Sequence, residues 1–159
     1  KTLFLTADGR IGKRDFWIGF AILFGIGFVA GMIPVLGQII SLVLIYPTVC
    51  VFSKRLHDFG KTGWLYLAPV GITVVLMIVM GVTGGMAFMG AGFAGNEAAA
   101  AGSAMAGMGL IFALALLGFA VWVGFLLWVG LTNGDQADNR YGPPPVSLTG
   151  GTASPPTIA

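Results

Sequence analysis

Charge is scarce in this 159-residue chain, and so are cysteine and histidine. Charged residues make up 9% of the sequence, whereas soluble domains carry roughly 25%. The one cysteine, Cys50, excludes an intramolecular disulfide. The one histidine, His57, with scattered aspartates, does not reach the ligand number of a zinc site within one chain. These absences exclude an ordinary soluble domain and a disulfide-stabilised scaffold.

Apolar residues dominate what is present: they make up 57% of the chain, and the mean hydropathy is +0.93. Residues 16–52 include no Asp, Glu, Lys, Arg or His, and as one helix they would measure about 55 Å, nearly twice a hydrocarbon core of about 30 Å. Pro34 divides this run, because proline disfavours helix in the residue before it. The sequence therefore predicts an all-α integral membrane protein with four transmembrane helices, arranged as two helical hairpins, at about 16–33, 35–52, 64–84 and 107–132.

Polar and low-complexity segments separate the predicted helices. We expect cytoplasmic segments at 1–15, 53–63 and 133–159, and a non-cytoplasmic loop at 85–106 that is rich in glycine, alanine and methionine. Parts of this loop can extend the flanking helices, and its glycine-rich middle should be mobile. After about residue 145 the composition buries too little apolar surface to fold, which predicts disorder.

The basic residues predict the orientation of the helices, because cytoplasmic loops are enriched in Lys and Arg. With four spans, all eight basic residues fall on one side, and the opposite side has none. We therefore expect both termini in the cytoplasm. A signal peptide over 10–30 is the alternative, but its apolar run exceeds the usual length of about 7 to 15 residues and no clear cleavage site follows.

Three polar motifs stand at the predicted cytoplasmic ends of the helices: Gly9–Trp17, Arg55–Trp64 and Asn139–Pro143. In order and spacing they resemble the YhaH-type DUF805 family of small bacterial inner-membrane proteins, a family of unknown function. The resemblance covers residues 4–145, although Thr62 stands where serine is expected and Pro144 where an acidic residue is frequent. It implies four spans in the bacterial inner membrane, in agreement with the charge pattern, and it implies no particular activity.

The central motif, Arg55–Trp64, is where catalysis would be expected, and its spacing argues against it. Adjacent helical residues point about 100° apart, so His57 and Asp58 are poorly placed for a hydrogen-bonded dyad. Cys50 and His57 share a helix face but lie roughly 10.5 Å apart along its axis, too far for a nucleophile and its base. We therefore expect no catalysis, and no metal or cofactor.

Basic and polar side chains of the three motifs predict either a binding site for anionic lipid headgroups or an internal polar cap. Lys54, Arg55 and Lys61 stand at the level of a lipid phosphate. Alternatively these charges only fix the orientation, with Gly60 ending the second span and Thr62 capping the third. The full set of candidates is Arg10, Lys13, Arg14, Lys54, Arg55, His57, Asp58, Lys61, Trp64, Asn139 and Arg140.

All three motifs lie on the predicted cytoplasmic side, so we expect them to meet there. Asp58 can hold Arg55, three residues away on the same helical face. The aspartates at 135 and 138 can reach basic partners in the other two motifs, and Arg140 can reach Asp15 or Asp58. Three independent, solvated segments are the alternative.

No Asp, Glu, Lys, Arg or His lies within the predicted membrane cores, which argues against a coupled transporter. Two GxxxG pairs predict close helix packing, although chance pairs are expected among 26 glycines. Two prolines predict helix kinks, since each removes one backbone hydrogen bond. The packing residues are Gly27, Gly31, Gly81 and Gly85, and the kink residues are Pro47 and Pro69.

Two classes of function are compatible with these features. The first is a noncatalytic membrane protein that binds partner proteins or anionic lipid headgroups on the cytoplasmic side, as an accessory subunit of a larger membrane complex or by self-association. The second is an oligomeric small-solute channel or transporter, because four spans would need to oligomerise to enclose a pore. Nucleic acid is not an expected partner, since topology explains the basic residues.

Overall fold

Four α-helices occupy most of residues 3–145, which are the residues that the computed structural model describes. They are α1 (Lys13–Gly31), α2 (Leu36–Asp58), α3 (Leu67–Gly92) and α4 (Glu97–Leu131), and a short 3-10 helix at Gly63–Tyr66 precedes α3. All four are long and apolar enough to cross a membrane. The all-α class with four such helices is confirmed, while the predicted disorder after about residue 145 lies outside the described residues.

The described chain divides into two units. The first contains residues 3–66 together with 128–145, which include α1, α2 and the end of α4. The second contains residues 67–127, which include α3 and the larger part of α4.

The core of the first unit surrounds the last part of α2. Every side chain from Cys50 to Leu56 is buried, whereas most of α2 before Pro47 is exposed. Phe16 of α1 is fully buried, and its ring meets that of Phe52 edge to face with centroids 5.2 Å apart. The exposed, apolar remainder of α1 and α2 has the surface expected of helices that contact lipid.

In the second unit, α3 and α4 contact each other at several levels. The Trp122 indole N–H donates to Thr73 Oγ1 at 2.8 Å, and the Ser103 hydroxyl donates to the Ala87 carbonyl at 3.0 Å. A Cβ added at Gly107 would overlap the Ala87 side chain, so glycine permits the close approach there.

Helical structure occupies most of the 85–106 stretch that the sequence predicts as a loop. Helix α3 continues to Gly92 and α4 begins at Glu97, which leaves a connection of four residues, 93–96. Asn96 supplies the start signal of α4, because its Oδ1 accepts a hydrogen bond from the Ala99 N–H at 2.9 Å. Alanine is the best helix former, and the contacts between α3 and α4 offset the low propensity of the glycines.

The glycine pairs and prolines do not all occupy the environments that the sequence predicts. Of the four GxxxG glycines, only Gly27 faces a neighbouring side chain, since a Cβ there would lie 3.8 Å from Leu44 Cδ1. A Cβ on any of the other three would meet nothing within 4 Å among the described residues, because the GxxxG spacing aligns two glycines without fixing which way they face; these are Gly31, Gly81 and Gly85.

The two prolines occupy different positions in their helices. Pro47 lies inside α2, where a kink stays a prediction. Pro69 is the third residue of α3, in its first turn, where the missing N–H removes no intrahelical bond. The predicted kink at Pro69 therefore has no basis in a broken helical hydrogen bond.

Candidate functional site

Helix α2 ends in a sharp reversal at Gly60. The Gly60 N–H donates to the His57 carbonyl at 3.2 Å and the Lys61 N–H to the Leu56 carbonyl at 2.9 Å, a pair of bonds known as the Schellman motif. Gly60 has φ +71°, a conformation that other residues rarely adopt. The Thr62 hydroxyl then accepts a hydrogen bond from the Trp64 N–H at 3.4 Å. This reversal exposes the last turn of α2 to other segments.

Asp58, the last residue of α2, binds two arginines at once. Its Oδ1 accepts from Arg10 Nε at 3.2 Å, and its Oδ2 accepts from the Arg55 guanidinium. The side chains of Arg10, Arg55 and Asp58 are 1%, 0% and 4% exposed. A Cβ added at Gly134 would overlap the Asp58 carboxylate, so only glycine fits against it. We name these three side chains the Arg10–Asp58–Arg55 cluster.

Arg55 also binds the end of α4. Its guanidinium donates to the carbonyls of Val129, at 3.1 Å, and Thr132, and to the Ile11 carbonyl at 3.4 Å. The last carbonyls of a helix lack intrahelical donors and carry its partial negative charge. Arg55 therefore caps the carboxyl end of α4 while it pairs with Asp58.

Arg10 binds the segment that follows α4. Its guanidinium donates to the carbonyls of Ala137 at 2.9 Å and Gly142 at 3.0 Å, to that of Asp135, and to the Asp58 backbone carbonyl at 3.1 Å. Arginine suits this role because its planar fork carries five N–H donors. The N-terminal motif thus ties the C-terminal motif to the end of α2.

The C-terminal motif makes further contacts with the last turn of α2. The Asp135 N–H donates to the Asp58 carbonyl at 2.8 Å, and Asn139 Nδ2 donates to the His57 carbonyl at 3.0 Å. The Tyr141 ring stacks on the His57 ring with centroids 3.7 Å apart. His57 Nδ1 lies 3.3 Å from the Gly9 carbonyl, which the protonated nitrogen can donate to. All three motifs are therefore in mutual contact.

Several pairings differ from those that the sequence predicts. Asp58 holds Arg55 as predicted, but Arg140 donates to the Gly60 carbonyl at 3.3 Å and lies over the Tyr141 ring at 4.7 Å, away from the predicted aspartates. The Asp135 carboxylate accepts from Asn139 Nδ2 at 2.8 Å, and only its backbone carbonyl reaches an arginine.

The cations proposed to bind one lipid phosphate do not share a surface. Arg55 is fully buried, and Lys54 is 4% exposed and donates to the Leu3 carbonyl at 3.2 Å. Lys61 is exposed, as are Lys13, Arg14 and Arg140, and Trp64 is 77% exposed. Backbone carbonyls inside the protein take the donors of Lys54 and Arg55, which sequence spacing does not reveal.

An open cleft of about 290 Å³ lies beside the cluster. Lys13, the first residue of α1, borders it and donates to Asn133 Oδ1 at 2.7 Å. Charged and amide side chains dominate the lining: Lys13, Arg55, Asp58, Asn133, Asp135 and Gln136, with Gly12, Gly134, Pro144 and Pro145 completing it.

Sequence reasoning missed Gly134 and Asn133, two of the residues that shape this region. The run Asn133-Gly134-Asp135 signals a turn after the fourth helix, but a turn signal does not predict which carboxylate the turn will pack against. No group of three or more His, Cys, Asp or Glu side chains within residues 3–145 has the arrangement of a metal site. Every buried side-chain nitrogen or oxygen in the same residues has a hydrogen-bond partner.

Comparison with known proteins gives a family without an activity. A family model described as "Protein of unknown function (DUF805)" matches residues 4–143. Two curated relatives, each called "Uncharacterized protein YiiR", from Escherichia coli strain K12 and from Escherichia coli O157:H7, are 39% identical over 71 residues. The match covers 39% of this chain and 48% of each relative, so the chain spans about half the length of the curated relatives it matches. No solved structure matches.

Proposed function

The chain belongs to the DUF805 family of proteins of unknown function, and from this premise we propose that it is a noncatalytic membrane protein that binds partner proteins or lipid headgroups through a rigid polar cap. The polar cap consists of residues 9–17, 55–64 and 133–143. One observation carries the proposal: the guanidinium groups of Arg10 and Arg55 bind acceptors in all three segments, namely the Ile11 carbonyl, the Asp58 carboxylate and the Gly142 carbonyl. These bonds hold the three segments in fixed positions, so the exposed side of the polar cap is a preformed binding surface.

A catalytic role is less compatible with these contacts. General acid–base catalysis needs a titratable group within reach of a bound substrate. The His57 ring instead stacks on Tyr141 and faces the Gly9 carbonyl, and Asp58 accepts from two arginines. The contacts of His57 and Asp58 within the protein therefore support a binding role rather than a catalytic one.

The proposal includes a location, the bacterial inner membrane, with two helical hairpins and both termini in the cytoplasm. Helices α1 and α2 contact each other, as do α3 and α4, and short connections join each pair. The eight basic residues lie before α1 or in its first turn, in the last turns of α2 or just after it, and after α4. One orientation therefore puts all of them on the cytoplasmic side. The curated relatives come from a bacterium.

In this orientation the polar cap stands at the inner membrane surface, and its rim offers exposed cations. Lys61 and Arg140 are both exposed; Lys61 follows Gly60 in the chain, and Arg140 donates to the Gly60 carbonyl. Anionic headgroups or an acidic face of a partner attract such cations. The exposed apolar faces of the helices would then pack against a larger complex, which makes the protein an accessory subunit.

Native mass spectrometry of the full chain, purified in mild detergent from its own host, tests the proposal. We expect a second membrane protein at fixed stoichiometry, and we expect Asp58→Asn to weaken that association because it loosens the cap. Asp138→Asn, which changes an exposed carboxylate of the same segment, is the matched control and should retain the partner. A closed homo-oligomer that conducts a solute in liposomes would overturn the proposal and favour a channel.

A further inference from the structure

The cleft beside the cluster contains two charges of each sign. Lys13 and Arg55 supply the positive charges, and Asp58 and Asp135 the negative ones. Arg55 and Asp58 pair with each other. Neither Lys13 nor Asp135 forms an ion pair with any residue in the described range 3–145. One cation and one anion thus face the same space without neutralising each other.

Both side chains retain hydrogen-bonding capacity toward the cleft. A lysine ammonium has three donors, and that of Lys13 uses one on Asn133 Oδ1. The Asp135 carboxylate accepts one bond, from Asn139 Nδ2, out of about four that it can accept. The amide of Gln136 also borders the cleft and adds a neutral donor and acceptor.

These charges select among ligands. A purely anionic group entering the cleft would meet Asp58 and Asp135, and a purely cationic group would meet Lys13 and Arg55. A small group that carries both signs can satisfy Lys13 and Asp135 together. The volume of about 290 Å³ is close to the lower limit of about 300 Å³ for ligand pockets, which suits a headgroup-sized molecule.

The position of the cleft points to a phosphate as the negative part. Lys13 begins α1, a helix long and apolar enough to cross a membrane, so the cleft lies where lipid headgroups lie. Gly12 forms no side-chain cap on α1, so no side chain competes for the first-turn N–H groups. We infer that the cleft binds a phosphoethanolamine group, with the phosphate at Lys13 and the ammonium at Asp135.

This inference rests on the proposed function and deepens it, because it names a zwitterionic headgroup as the lipid ligand of the polar cap. The test uses the full chain in nanodiscs made with equal fractions of phosphatidylethanolamine and phosphatidylglycerol. Native mass spectrometry then measures which lipid stays bound when the nanodisc is released. We expect the wild-type protein to retain phosphatidylethanolamine in preference to the anionic lipid.

Three variants and one control make the test specific to the cleft. Lys13→Gln and Asp135→Asn should each lower retention about tenfold, the effect of one lost hydrogen bond to a charged group. Gly12→Leu should block the cleft, because its side chain would start 3.9 Å from Pro145 Cγ in the cleft lining. The backbone at Gly12 is extended, a conformation that leucine also adopts, so the change should not strain the chain. Asp8→Asn, which removes an exposed charge outside both the cleft lining and the polar cap, should change nothing.

The outcomes separate the two possible sources of the group and the two proposals. Soluble phosphoethanolamine that displaces the lipid indicates that the headgroup alone is bound, whereas retention against this competitor indicates the lipid itself. Equal retention of both lipids, or a preference that survives Lys13→Gln and Asp135→Asn, overturns this inference. If the lipid preference is absent but a partner protein still copurifies, only the cleft inference fails. If the lipid preference holds and no partner protein is found, only the proposed partner role fails.

Discussion

Asp58 is the residue on which the two buried arginines depend. Arg10 and Arg55 are 1% and 0% exposed, and one carboxylate supplies the negative charge that both of them contact. A buried cation without a counter-charge is costly because it has lost its hydration, and removing one partner of a buried ion pair typically costs about 3–5 kcal/mol. The backbone carbonyls around the cluster give partial compensation only, since each carries a dipole and no net charge.

We therefore predict that Asp58→Asn destabilises the protein by about 3–5 kcal/mol, because two guanidinium groups lose their counter-charge while the side-chain shape is kept. Cys50 gives a direct measurement. It is the one cysteine of the chain and is fully buried, so its reaction with a thiol-specific dye during heating reports unfolding. The transition should occur at a clearly lower temperature than in the wild-type protein.

Asp138→Asn removes the same charge from an exposed carboxylate and should leave the transition in place. The double variant Arg10→Gln with Asp58→Asn should lose less stability than the sum of the two single variants, because each change removes a partner that the other leaves unpaired. An unchanged transition for Asp58→Asn, or strict additivity in the double variant, would show that the cluster does not hold the cap together.

At the scale of elements, the structure separates what local sequence decides from what it leaves open. The end of α2 follows from Gly60, and the Arg55–Asp58 pair follows from helical spacing, since both involve residues close in sequence. Arg10 lies 48 residues from Asp58 and binds mostly backbone carbonyls. Every residue offers a carbonyl, so no sequence pattern identifies these partners. The placement of the three motifs on one side of the membrane predicts that they meet, but it does not predict which atoms pair.

The connection between α3 and α4 shows the same limit in an element boundary. Low complexity and many glycines predict a loop, but the contacts of Ala87 with Ser103 and Gly107 hold this stretch in two helices. Glycine weakens an isolated helix, whereas between two packed helices it permits the close approach that stabilises them. Tertiary packing of this kind has no signal in composition alone.

The turn between α1 and α2 contains a strained residue and allows a prediction at the element scale. Val35 has φ 66° and ψ −60°, and the Leu36 N–H donates to the Pro34 carbonyl at 2.8 Å, which forms a γ-turn that is rare for a β-branched residue. Such strain is worth about 1–3 kcal/mol. Glycine relieves it but loses about 0.4–1 kcal/mol through the greater freedom of the unfolded chain. Val35→Gly should therefore stabilise the protein by about 1 kcal/mol.

Titration with a denaturing detergent, followed by circular dichroism, measures this effect as a higher unfolding midpoint for Val35→Gly. Val29→Gly is the matched control, because Val29 is exposed and lies inside α1 with ordinary helical geometry. That change should not raise the midpoint, since glycine lowers helix propensity. A midpoint for Val35→Gly at or below that of the wild-type protein would contradict a strained turn.

At the scale of the whole molecule, the four helices differ in length, and the longest far exceeds the thickness of the hydrocarbon core. Helix α1 has 19 residues and α4 has 35, which correspond to about 28 Å and about 52 Å, against a hydrocarbon core of about 30 Å. A helix of the greater length must tilt or extend past the hydrocarbon. The connection 93–96 joins α3 to α4 and is therefore expected to lie in water, beyond the hydrocarbon core.

The proposed orientation predicts on which side of the membrane this connection is found. In a Cys50→Ala background, Asn96→Cys should react with a membrane-impermeant maleimide added to intact spheroplasts, because the connection between α3 and α4 faces outward when all eight basic residues face inward. Asp138→Cys, in the exposed segment after α4, should react only after the membrane is permeabilised. Lysed spheroplasts provide the control that both cysteines are reactive. Labelling of Asp138→Cys in intact spheroplasts would place the polar cap outside, where cytoplasmic partners cannot reach it, and would refute the proposed orientation.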